Sequence, residues 1–114
     1  MVQEGYIEFY PIKRDTHFAV RFAVSGIDLT NVEFASSLFD VSNNTRSKVA
    51  DMQITKTSND FVYDGFIMEL DRTITRTLTA NKKYYGDVLM ISDNKPIALF
   101  NYMLPVIEGY TNVD

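Results

Sequence analysis

The chain has 114 residues, the length of one ordinary domain, and its 46% apolar and 23% charged fractions belong to a folded protein with a core. Cys is absent and His occurs once, which removes disulfides, thiolate metal sites, iron–sulfur clusters and Cys nucleophiles, and leaves little room for imidazole chemistry. A net charge of −4 opposes binding to nucleic-acid phosphates.

Val, Ile, Thr, Phe and Tyr total 44 residues, whereas the helix formers Ala and Leu total 13. Those 44 suit a pleated, half-buried surface, so an all-β fold is expected. In chain order, Tyr6–Ile12 reads as a strand, with Pro11 confining it to an edge or a strand end. His17–Ser25 alternates most clearly, through Phe18, Val20, Phe22 and Val24. Gly26–Asn31 is a turn-like link, Val32–Val41 a strand partly buried on both sides, and Ser42–Ser47 a polar loop. Lys48–Thr57 forms a strand through Met52 and Ile54. After a turn at Ser58–Asp60 comes Phe61–Leu70, with Gly65 at a bulge or bend. Asp71–Asn81 fits a short helical turn capped by Asp71, or a strand of alternating Thr, with the turn preferred. Tyr84–Ile91 and Ile97–Ile107 flank the hairpin signal Ser92–Pro96, and Pro105 predicts that the last strand ends at or lies along an edge. About seven strands at this spacing predict an antiparallel β-sandwich or a barrel, the sandwich being preferred, with one short helical turn near 71–80 and a single domain over 1–114.

Chemistry is sparse. His17 starts a strand on the face of Arg21, where a solvated or hydrogen-bonded ring is expected rather than a catalytic one. Asp60 and Asp64 flank Phe61 and Tyr63 like the lip of a sugar site, yet four strand residues separate the two acids by ~13 Å, beyond the reach of paired carboxylate catalysis. Asp40, Asn43 and Asn44 in the predicted loop lack the spacing and bidentate Glu of a calcium loop. Lys82 and Lys83 beside Tyr84 and Tyr85 offer two cations and two rings, but on an acidic chain they read as a solvated turn, with one Tyr entering the core. The five Gly stand isolated, so no phosphate loop exists. No apolar run approaches the ~18–20 residues of a membrane helix, and Met1–Tyr10 lacks the character of a signal peptide. The expectation is a protein made in the cytoplasm, with no enzyme activity, no metal, no cofactor, and no nucleic-acid or membrane partner.

Three short pieces resemble one family. Lys13-Arg14-Asp15-Thr16 before the Phe18–Val24 strand resembles the Lys/Arg-Gly-Asp-Thr opening of the N-terminal modules of baseplate upper proteins and related tail proteins of long-tailed phages. Gly26-Ile27-Asp28-Leu29-Thr30 resembles their Asp-Leu-Thr link. Tyr84-Tyr85-Gly86-Asp87-Val88, the hairpin at Asp93-Asn94-Lys95 and the close at Val106-Ile107-Glu108 resemble their last two strands. Two glycines of that pattern are missing, one before Asp15 and one at Asn81-Lys82-Lys83, so Asp15 needs a different turn. The resemblance spans residues 12–108. It implies an immunoglobulin-like fold and an architectural, non-catalytic role in the virion. The protein would be joined to further copies of itself and to other tail or baseplate subunits. Aromatic residues are enriched at such contacts, and Phe9, Tyr10 and Tyr110 are the candidates by their place near the termini. The alternative is a stand-alone carbohydrate-binding module using Phe61, Tyr63 and Asp64.

Overall fold

A computed structural model describes residues 6–59 and 62–109. Among them the chain runs β1 (Tyr6–Glu8), β2 (Ile12–Lys13), β3 (Phe18–Ala23), β4 (Val32–Ser42), β5 (Thr45–Asp51), β6 (Gln53–Asn59), β7 (Val62–Leu70), α1 (Arg72–Thr75), β8 (Lys82–Ser92) and β9 (Lys95–Ile107). Two sheets form a β-sandwich. One has the order β1-β9-β8-β4-β5, with β2 also on β9, and the other the order β3-β7-β6.

The core lies between the sheets and is built largely from aromatic pairs. Phe34 of β4 stacks on Phe66 of β7 at 4.4 Å, and Phe22 of β3 meets Phe66 at 5.2 Å and Phe100 of β9 at 5.0 Å. Leu38, Met68, Val88 and Leu104 are fully enclosed around them. Gly86 is required in β8, because a Cβ there would stand 2.3 Å from the ring tip of Tyr102. The Tyr102 ring therefore reaches over Gly86, stacks on Phe9 at 5.1 Å and shares a 2.9 Å hydrogen bond with the Ser36 hydroxyl of β4. Burial raises the Tyr102 phenol to about 12.

Two hairpins turn on two residues each. Asn43-Asn44 and Asp93-Asn94 all have positive φ, between 51° and 62°, which gives a turn whose twist matches the strands it joins. The predicted loop at Ser42–Ser47 thus shrinks to Asn43-Asn44, with Asp40 inside β4 and Thr45 already in β5. Lys82 and Lys83 likewise belong to β8 and not to a turn.

The predicted strand Lys48–Thr57 is two strands in different sheets. The chain crosses at Met52, whose N–H still donates to Ser36 O of the sheet it leaves (2.9 Å). Gly65 sits at a bulge as expected. Thr57 pairs with Gly65 and Ser58 with Tyr63, leaving Asp64 as the extra residue, and a Cβ at Gly65 would lie 2.0 Å from Phe22 O.

The N-terminal segment is an edge, as Pro11 implies, but it pairs parallel to β9, Tyr6 with Asn101 and Ile12 with Val106. β9 is consequently flanked on both sides, contrary to the expectation from Pro105. The break between β1 and β2 falls opposite Leu104 and Pro105, where β9 has no N–H to offer at the proline. The helical turn expected near 71–80 is present as α1, with Asp71 at its N-cap position. The Asp71 carboxylate accepts from the Thr73 hydroxyl (3.1 Å) rather than from a backbone N–H.

Candidate functional site

The Lys13–Thr16 segment works as a clasp. Asp15 takes φ 66°, an αL position that Asp tolerates better than most residues, so it supplies the different turn that the absent Gly demands. Its carboxylate accepts from Arg72 (2.8 and 3.3 Å) and from Arg76 (3.1 Å). The Arg72 guanidinium, against partial loss of water and with help from Arg76, holds the Asp15 carboxyl down at about 2. Arg14 Nε donates to Leu78 O (2.9 Å), and the fully buried Thr75 hydroxyl donates to Thr16 O (2.6 Å). Together these bonds tie the segment before β3 to the crossover between β7 and β8. Asn81, at the second missing Gly, also takes positive φ (61°) and immediately precedes β8. In the Gly26–Thr30 link, Asp28 folds back on Thr30, accepting from its N–H (3.0 Å) and hydroxyl (2.7 Å). Those hydrogen bonds, the hydroxyl's foremost, lower the Asp28 carboxyl, and the turn drives Leu29 into a small core with Val32 and Met90.

The residues singled out for chemistry are mostly engaged in structure. His17 Nε2 lies 2.8 Å from Glu69 Oε2 on the outside of the small sheet. Asp64 is held by Arg21 (3.0 Å) and by the Thr57 hydroxyl (2.8 Å). Lys56 covers the Tyr63 ring at 4.5 Å, and Asp60 and Phe61 lie outside the described residues. Asp40 binds Lys82 (2.7 Å), whose ammonium lowers the carboxyl and is itself raised. Asp40 is also separated from Asn43 and Asn44, since it lies in the strand and they form the turn. The Lys82–Tyr85 run alternates across the sheet, with Tyr84 the one of the two Tyr that is buried and Lys82 spent on Asp40, so its two cations and two rings do not share a face.

Of the three proposed contact aromatics, Phe9 is turned inward against Tyr102, Phe18 and Phe22, which corrects its expected place at a partner contact. Tyr10 is 93% exposed, and Tyr110 lies outside the described residues. Beside Tyr10, β1 exposes Tyr6 and Ile7 along an edge to which no further described strand is added. The other three edges carry cations, Arg46 and Lys48 in β5, Arg21 in β3 and Lys56 in β6, the usual guard against strand addition. β1 carries none.

No family model matches the chain, and no curated protein matches it.

A second feature was not legible in the sequence. The outer face of the large sheet holds a cleft of about 250 Å³, lined by Tyr6, Phe39, Arg46, Tyr85, Asp87 and Asn101 with Val41 and Gly86. Tyr6 and Tyr85 meet edge to face, centroids 5.4 Å apart and planes at 69°. Arg46 sits over the Phe39 ring at 5.5 Å, and Asp87 faces Asn101 across β8 and β9. The residues come from five strands. The only local trace is the i, i+2 placing of Phe39 with Val41 and of Tyr85 with Asp87, which puts each pair on the outward side.

Proposed function

We propose that this chain is a non-catalytic structural protein of a phage or prophage virion, an immunoglobulin-like sandwich. It builds a tail or baseplate through contacts with further copies and with neighbouring subunits. The β1 edge carries this reading: it exposes Tyr6 and Ile7, holds no cation of its own, and is bordered by the exposed Tyr10. A second chain pairing there adds a strand to the sheet, a mode that supplies main-chain hydrogen bonds without a preformed pocket. The strand order supports the immunoglobulin-like part, because a three-stranded sheet β3-β7-β6 faces one built around β9-β8-β4, with a helical crossover before β8. The resemblance to baseplate modules gains support from the clasp, where Asp15 and Asn81 take left-handed backbone at the places of the absent glycines.

Mass spectrometry of virions purified after induction of the host tests the role directly. The chain is expected among the particle proteins at a copy number that is a multiple of the tail symmetry, and its absence refutes the proposal. Light scattering on the purified chain, alone and with a neighbouring tail protein, tests the edge. Assembly is expected for the natural sequence and monomer for Ile7→Lys, which places a charge on the unguarded strand. Equal association by both excludes β1 as the contact.

A further inference from the structure

We propose that the outer cleft is a binding site for one neutral hexopyranose ring, such as the end of a surface glycan. Three planar polar groups enter it without partners. The side chains of Arg46, Asp87 and Asn101 make no hydrogen bond or ion pair among the described residues, although Arg46 rests on Phe39. Several acids and bases elsewhere are paired, as Asp15 with Arg72, Asp40 with Lys82 and Asp64 with Arg21 show, whereas these three are not. A saccharide needs what this cleft leaves free. Asp87 accepts two hydroxyl protons, Asn101 beside it both donates and accepts, and Arg46 donates a planar pair, so vicinal hydroxyls find complementary partners. The rings of Tyr6 and Tyr85, inclined at 69°, form a floor and a wall for the apolar C–H face of the sugar.

Charge and size narrow the class. Arg46 and Asp87 cancel, which disfavours phosphates and uronates and favours a neutral ring. A cavity of about 250 Å³ falls just below the ~300–1,000 Å³ of sites for drug-sized ligands, so it suits a single ring. A peptide strand has nothing to pair with, because the cleft opens on the face of a sheet whose local backbone bonds are already made between strands. This inference stands apart from the assembly proposal. Strand addition at β1 extends the sheet in its plane, and the cleft opens off its face.

The test is a titration of the ¹⁵N-labelled chain with methyl β-D-glucopyranoside and with N-acetylglucosamine, with glucuronate as the charged comparison. Millimolar binding is expected for a neutral sugar, with shifts gathered at Tyr6, Phe39, Tyr85–Asp87 and Asn101. Asp87→Ala and, separately, Asn101→Ala are expected to weaken it about tenfold or more, while leaving the spectrum elsewhere unchanged. The proposal is overturned if neither neutral sugar shifts these residues, if glucuronate binds more tightly than both, or if folded variants bind as the natural chain does.

Discussion

Gly86→Ala probes the one place where a strand interior is cut away for a side chain. A Cβ at 86 would lie 2.3 Å from both Cζ and Oη of Tyr102 and 2.6 Å from Ser37 O, closer than carbon atoms tolerate, so the ring or β4 must move. The ring cannot tilt freely, because Phe9 stacks on its face at 5.1 Å, and retraction breaks the hydrogen bond to the buried Ser36 hydroxyl. Overpacking of this kind costs about 1–3 kcal/mol. Leaving a buried hydroxyl unpaired adds about 1–3 kcal/mol. A loss of about 3 kcal/mol is therefore expected, a large share of the ~5–15 kcal/mol that holds a domain folded. At roughly 4 °C per kcal/mol for a chain of this size, the melting midpoint should fall by roughly 12 °C. Urea unfolding followed by circular dichroism measures it, with an unchanged m-value showing that stability alone has moved. The decisive comparison is the double mutant. In a Tyr102→Leu background the ring tip is gone, and Gly86→Ala should cost clearly less than in the natural chain, the remainder coming from the 2.6 Å approach to Ser37 O. A Gly86→Ala protein within about 0.5 kcal/mol of the natural one, or an equal cost in both backgrounds, would refute the account of Tyr102 as the reason for this glycine.

Further outcomes concern the clasp and the hairpins. The Asp15 carboxyl sits at about 2 in the folded protein against 3.8 ordinarily, so its stabilising effect is complete above pH 4 and is lost as pH falls toward 2. Acid titration of stability should accordingly show a shallower decline between those values for Asp15→Asn than for the natural chain, and identical slopes would contradict the clasp. Asn44→Val places a β-branched side chain at φ 61° and should cost about 1–2 kcal/mol in a thermal melt. Asn44→Gly should be neutral or slightly stabilising there, and a destabilised Gly variant would mean that the Asn side chain itself holds the turn.

The strands of the sandwich were legible wherever one face is buried and one is wet, as Phe18, Val20 and Phe22 illustrate. The sheet switch at Met52 was not, because Ala50, Met52 and Ile54 all keep pointing inward while the chain passes from one sheet to the other, so the period of two never breaks. Turn residues were visible as polar clusters, but the clusters overstated the turns. Asp40 and Lys82 are charged strand residues that pair with each other across β4 and β8, and pairing is a property of the register. The same limit hid the outer cleft, whose six principal residues meet only after five strands align. Phe9 misled because its place near the terminus suggested a surface. The parallel pairing of β1 with β9, joining residues almost a hundred apart, turns that aromatic into the sandwich.

That parallel pairing also has a mechanical side. Tyr6 lies level with Asn101, and β9 continues onward to Ile107 beside Lys13, so the two ends of the described chain leave in opposite directions along one axis. Tension applied through them slides β1 and β2 along β9 and loads their hydrogen bonds together, including Phe9 N–H to Met103 O and Arg14 N–H to Ile107 O. A pull applied instead through Ser37 and Asp51, which pair at the open end of β4 and β5, would separate those strands one bond at a time. Single-molecule extension by the two routes should show the higher force for the first, and unfolding rates set the scale of that difference. A domain strung between neighbours would hold along this axis and give way across it.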